Sequence, residues 1–179
     1  LKAGVYVVGY DSVTDEYFLT DTIDFEIPEK IYGSLTGISE RILNTFQDRG
    51  ANTGVLLSGE KGSGKTLVTK ITSVKGVKAG LPTLIIPLAF RGPDFNAFIQ
   101  DIKQPCIILF DEFEKVYSDD SVQENLLTLL DGTVNTKKLF LFTTNDKHAI
   151  SKYMINRPGR IYYCLDFKGL DNDFITEYC

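Results

Sequence analysis

Gly59-Glu60-Lys61-Gly62-Ser63-Gly64-Lys65-Thr66 fills every fixed position of the pattern G-x-x-x-x-G-K-[ST] and, more than any other stretch, constrains how the chain can fold. The apolar run Val55-Leu56-Leu57-Ser58 precedes it and Leu67-Val68-Thr69-Lys70-Ile71 follows, so the order predicts strand, loop and helix. Glycines at 59, 62 and 64 let the backbone take dihedrals that a Cβ forbids, and consecutive N–H groups can then converge on phosphate oxygens. A helix starting near Lys65 adds the positive end of its dipole. Gly59, Glu60, Lys61, Gly62, Ser63, Gly64, Lys65, Thr66 and Leu67 are therefore the candidate phosphate cradle. In it, Lys65 reaches the β- and γ-phosphates of a nucleotide and the Thr66 hydroxyl holds Mg²⁺. The bland alternative is a glycine-rich turn between a strand and a helix with Lys65 as a solvated charge. The filled positions and their flanks weigh against it.

The 179 residues suffice for one α/β domain with a full core, or for one domain and a small appendage. Apolar residues at 43% and charged residues at 24% describe an ordinary globular chain rather than a disordered or fibrous one. A net charge of −5 and a pI near 4.9 give no overall basic field, so nucleic acid is not the expected partner. Cys106, Cys164 and Cys179 are widely spaced and odd in number, which argues against zinc or a disulfide framework and for a reducing, cytoplasmic setting. No apolar run approaches the ~20 residues of a membrane span. The chain opens on Leu1 and closes in what reads as a starting helix, so a segment of a longer protein is expected.

Residues 4–10 and 16–20 are rich in β-branched and aromatic side chains around a turn-prone 11–15, which reads as a hairpin or as the end of a preceding domain. Pro28 keeps 25–33 extended, and Ile38, Ile42, Leu43 and Phe46 then recur at helical spacing over 36–49. Further strands are expected at 82–88, 106–110, 139–144 and 161–166, with helices at 93–103, 121–130 and 148–156 between them. Alternating strands and helices imply a doubly wound, largely parallel α/β sheet of five strands with helices on both faces, preceded by the short β-hairpin. The expected units are residues 1–24, a nucleotide-binding domain over 25–168, and the start of a lid over 169–179.

Four features fall at strand ends, where open α/β sheets bind ligands. Asp111, after the apolar strand Cys106-Ile107-Ile108-Leu109-Phe110, would hold the Mg²⁺ shell through water, and Glu112 would polarise the attacking water. An acidic pair capping a strand is the plainer reading. Asn145 is placed to bond that water or the γ-phosphate, or else simply to make an Asx turn with Asp146. Arg157 and Arg160 carry permanent forked charges suited to phosphate oxygens, on a neighbour's nucleotide rather than their own, or they form rim salt bridges.

Together these residues resemble the AAA+ ATPases, and within them the AAA subgroup. Gly59–Thr66 looks like the Walker A segment, Ile107–Glu112 like Walker B, Thr144-Asn145 like sensor 1, and Asn156-Arg157-Pro158-Gly159-Arg160-Ile161 like the arginine-finger segment. The resemblance covers about residues 28–178 and implies a P-loop NTPase fold that binds ATP with Mg²⁺. It makes Glu112, Asn145, Arg157 and Arg160 catalytic, the two arginines acting across subunits of a homo-oligomeric ring, usually a hexamer. Ile31-Tyr32-Gly33 falls where the family contacts adenine. Phe90-Arg91-Gly92 falls where it carries an aromatic-hydrophobic-glycine loop that grips a protein client, here with Arg in the middle. The Walker A segment lacks the common Pro-Pro, and the lid that would start near Gly169 is almost wholly missing. The implied activity is ATP hydrolysis coupled to remodelling or threading of a protein or protein complex. An assembly scaffold with slow turnover and a DNA-linked loader are the alternatives.

Overall fold

The computed structural model describes residues 1–31, 34–131, 137–155 and 159–168. Its strands are β1 (Val5–Asp11), β2 (Glu16–Thr22), β3 (Thr53–Gly59), β4 (Thr83–Ile85), β5 (Cys106–Phe110), β6 (Lys138–Thr144) and β7 (Ile161–Phe167). They form one sheet in the order β2-β1-β4-β5-β6-β3-β7, parallel throughout except for the β1–β2 hairpin. The five expected parallel strands are all present. The hairpin expected ahead of them is continuous with them, because β1 pairs in parallel with β4.

Period-2 alternation in the central strands sorts their side chains onto two faces. Leu56, Ile108, Phe110, Phe140 and Phe142 enter one buried cluster, whereas Val55, Leu57, Ile107, Leu109, Leu139 and Leu141 enter the other. Both faces are covered, so β5 and β6 are buried along their whole length, and Cys106–Phe110 and Leu139–Phe142 are unbroken apolar runs instead of alternating with polar residues. The second face is closed by α1 (Leu35–Asp48) through Ile42, Leu43 and Phe46, and by α2 (Lys65–Lys78) through Val68. Small residues on α2 bring it close to its neighbours: Thr72 donates to Ser39 of α1 at 3.1 Å and Ser73 to Thr83 of β4 at 2.8 Å.

The first face is closed by α3 (Pro93–Asp101), α4 (Phe113–Val116), α5 (Asp120–Glu124), α6 (Leu127–Asp131) and α7 (Lys152–Ile155). Two of these differ from expectation for local reasons. The helix expected over 121–130 is broken, because Asn125 Nδ2 donates to the Ser121 carbonyl at 2.8 Å, the acceptor that the next helical turn would use. The helix expected from 148 begins only at Lys152. Ser151 N–H donates to Gln123 Oε1 at 2.7 Å, while Gln123 Nε2 donates to the carbonyls of Ala149 and Tyr117, so the backbone at 149–151 is tied to a buried amide.

Phe90 corrects a further expectation. Its ring is buried, 5.3 Å from that of Tyr17 and 5.7 Å from that of Phe95, and its carbonyl accepts from the Tyr117 hydroxyl at 2.9 Å. An aromatic ring here lowers its free energy by leaving water for this cluster, so Phe90 is core and not a gripping side chain. Leu88, 60% exposed, is the large apolar residue that its loop turns outward.

β3 and β7 approach so closely that a Cβ on Gly54 would lie 2.2 Å from the carbonyl oxygen of Arg160. We expect Gly54→Ala to lower unfolding stability in urea by roughly 1–3 kcal/mol, the usual cost of forcing packed backbone apart. Gly37→Ala in α1, where the added methyl meets open space, is the control and should be neutral or slightly stabilising.

Candidate active site

The C-terminal ends of β3, β5 and β6 lie side by side, and the loops that leave them line a cleft of about 390 Å³. That is inside the range of about 300–1,000 Å³ usual for ligand clefts. Gly59, Gly62 and Gly64 all have positive φ, at 143°, 83° and 97°, which opens the loop from β3 into the first turn of α2. Lys65 opens α2 and is only 6% exposed. Its ammonium donates to the carbonyls of Gly59 and Glu60 at 2.6 and 2.7 Å, and to Asn145 Oδ1 at 3.2 Å. Burial pulls this ammonium below the usual lysine range, and Glu114, Asp111 and Glu112 act against that pull. Lys61, Gly62, Gly64, Thr66 and Leu67 also line the cleft, while the Ser63 hydroxyl lies 3.4 Å from Lys65 Nζ.

The acids follow from strand register. Phe110 stands opposite Phe142, so Asp111 falls level with Thr143. The Thr143 hydroxyl donates to Asp111 Oδ1 and accepts from Glu112 N–H at 2.8 Å, and Thr66 Oγ1 donates to the same Asp111 oxygen at 3.1 Å. Glu112 turns the chain into α4 with left-handed dihedrals, φ 47° and ψ 49°, which cost a non-glycine residue about 1–2 kcal/mol. Its carboxylate accepts from Lys115 Nζ at 2.6 Å, and that contact holds it below the usual carboxylate range. Glu112 also lines the cleft, beside Thr143 and Asn145.

Asn145 is not the residue that makes the turn after β6. Asp146 is, through its carboxylate accepting from His148 N–H at 2.8 Å. Asn145 instead faces two charged partners. Its amide oxygen meets Lys65, and both its backbone N–H and its Nδ2 donate to Glu114 Oε1 at 3.0 Å. Thr143 and Glu114 escaped the reading of the sequence. Thr143 was open to discovery by pairing strand ends, since it shares its strand face with Asn145; Glu114 carried no signal beyond one more acid after Asp111-Glu112.

Arg160 lies elsewhere, 5% exposed at the start of β7. Its Nε and Nη2 donate to the two Asp131 oxygens at 2.7 and 2.8 Å, and Nη1 donates to the Tyr153 carbonyl at 2.7 Å. As placed, all three nitrogens bind within the chain. Arg157, Tyr32, Gly33 and the lid over 169–179 lie outside the described residues.

The residues present fit a magnesium–nucleotide. Thr66 and Asp111 meet at one point beside Lys65, and among the described residues no group of three His, Cys, Asp or Glu side chains forms a metal site on its own. A metal here would take much of its shell from phosphate and water, as Mg²⁺ commonly does. A larger groove of about 570 Å³ between α3 and α5–α6, lined by Asn96, Gln100 and Glu124 among others, shares no residue with the cleft and contains no lysine or arginine. We expect Arg160→Ala to lower stability by roughly 1–3 kcal/mol in urea unfolding, as loss of charge-assisted hydrogen bonds does. No admixture of a second variant should restore it.

The family model of the ATPase family associated with various cellular activities (AAA) matches residues 55–166. The chain is 30% identical to the peroxisomal ATPase PEX1 of Homo sapiens over 63% of its own length and 10% of that protein. It is 28% identical to the nuclear valosin-containing protein-like of Mus musculus, over 68% of the chain and 16% of the relative, and 24% identical to the peroxisomal ATPase PEX6 of Dictyostelium discoideum, over 72% and 13%. It therefore spans less than a fifth of the length of each of these relatives. The loop at 59–66, the acids after β5 and Asn145 after β6 all fall within the matched residues: this chain belongs to the AAA family of ATPases.

Proposed function

We propose that the chain hydrolyses ATP and, assembled with further copies of itself, uses the cycle to remodel a protein or protein complex. The observation that carries the reading is the meeting of three segments distant in sequence at one end of the sheet, where Lys65 donates to Asn145 and the neighbouring Thr66 donates to Asp111. ATP bound with Mg²⁺ supplies the phosphoryl group and neutralises part of its charge. Lys65 meets the β- and γ-phosphates, and the loop N–H groups hold them in place. Thr66 would supply a hydroxyl to a bound Mg²⁺, and Asp111, which accepts from Thr66 and Thr143, would help to hold that metal. Glu112, fixed through its N–H by Thr143, accepts the proton of the attacking water. Asn145 steadies that water or the γ-phosphate. Arg157 serves a neighbouring copy's nucleotide, and Arg160, by its contacts, holds the segment in place. Tyr32 and Gly33 meet the adenine.

The ring, the hexameric count and the protein client rest on the family resemblance. With Phe90 in the core, client contact passes to outward residues such as Leu88. No helix among the described residues is long and apolar enough to cross a membrane.

Phosphate release measured across protein concentration tests the reading. Activity per chain should rise with concentration, and Glu112→Gln should reduce it by roughly 10²- to 10⁴-fold, the usual loss of a general base. Arg157→Ala and Lys65→Ala should each be inactive alone and recover activity when mixed. Activity independent of concentration, with no recovery in the mixture, would contradict shared sites and favour a chain that works alone. A Glu112→Gln chain that keeps its biological function would favour a scaffold.

A further inference from the structure

Glu114 has no role in the scheme above, yet it makes the most direct contact with Asn145. Its Oε1 accepts two hydrogen bonds at 3.0 Å, one from the Asn145 backbone N–H and one from its side-chain Nδ2. Its Oε2 is buried without a hydrogen-bond partner. A buried carboxylate oxygen without a donor is costly, and the two charge-assisted bonds on the other oxygen are what hold the group there.

The contact settles a question of orientation. The terminal torsion of asparagine is broad and roughly two-fold, so the backbone alone does not decide which way the amide faces. Glu114 accepts only, so it selects the nitrogen side and turns Oδ1 toward the Lys65 ammonium, 3.2 Å away. The amide nitrogen carries two hydrogens; Glu114 takes one, and the other lies on the side of Glu112, with which the Asn145 side chain also interacts, where it could serve a phosphate oxygen or the attacking water. The backbone bond adds a second anchor at the point where the chain leaves β6, which fixes the residue as well as its amide.

We propose that Glu114 is a positioning residue for hydrolysis, holding Asn145 in the one amide orientation that points a hydrogen at the reacting group. The proposal rests on the reading of the site as an ATPase centre. It gives Glu114 no contact with the nucleotide. Glu114→Gln preserves the essential feature, since the glutamine carbonyl can accept both Asn145 bonds; Glu114→Ala removes it.

Steady-state hydrolysis and equilibrium binding of a fluorescent ATP analogue test this on the full chain. Glu114→Ala should lower kcat by roughly 10- to 100-fold, the scale of a misplaced group, with KM for ATP and analogue binding held within about threefold. Glu114→Gln should recover most of the loss. In an Asn145→Ala background, Glu114→Ala should cost nothing further, a coupling that general damage to the fold does not produce. Additive losses would overturn the proposal, as would Glu114→Gln proving as harmful as Glu114→Ala, which would assign the effect to the charge beside Lys65. If the unmodified chain hydrolyses no ATP, the functional reading fails separately. The contact is then read from the Asn145 side-chain amide resonances in nuclear magnetic resonance spectra. A shift on Glu114→Ala supports the contact, and unmoved resonances refute it.

Discussion

The parallel register of three neighbouring strands places every group in the cleft, because β3 ends at Gly59, β5 at Phe110 and β6 at Thr144 on the same edge of the sheet. Phe110 pairs with Phe142 and Leu57 with Thr143, so Asp111 and Thr143 come level beside the start of the phosphate loop. The side-chain period of a strand is two, and a slip of one residue would turn Thr143 and Asn145 away from Asp111 and Lys65. That register is held by burial. Phe110 and Phe142 stack with ring centroids 4.9 Å apart, and Phe113 meets Phe142 edge-on at 5.0 Å. Slippage would break these contacts and reverse the two faces of strands that are packed on both sides.

Polar groups then take over where the apolar strands stop. Thr143 ties Asp111 and Glu112 to β6, Glu114 ties Asn145 to α4, and Ser58 and Lys147 both meet Asp166 at the end of β7. The ends of β5, β6, β3 and β7 are thus linked to one another around the cleft by hydrogen bonds and an ion pair. The left-handed Glu112 is the one non-glycine residue with positive φ among the described residues of this site, and it stands where water would be activated. Strain of this kind persists only where its surroundings hold it, and here the Thr143 hydroxyl does so.

The sheet could be read from the sequence because it rests on patterns that local chemistry dictates. The glycine-rich loop after Val55–Ser58 and the unbroken run Cys106–Phe110 gave the parallel strands and both edges of the cleft. What escaped was decided by contacts between distant residues. Phe90 matched a motif by position, but the chain folds its ring against Tyr17, seventy-three positions earlier. Arg160 had the charge for phosphate recognition, but Asp131 and the Tyr153 carbonyl surround it. Asn125 breaks one expected helix and Gln123 delays the start of another, through side-chain bonds that no periodicity reports. Glu114 carried no signal of its own, and only the fold brings Asn145 of the β6 end to it.

A crystal structure with magnesium and a non-hydrolysable ATP analogue tests the central claim most directly. The triphosphate should lie along the loop from Gly59 to Thr66, with the Lys65 ammonium moved from the carbonyls of Gly59 and Glu60 onto its oxygens. The metal should sit between the Thr66 hydroxyl and Asp111. A nucleotide bound in the groove between α3 and α5–α6, or a metal held away from Thr66 and Asp111, would contradict the account.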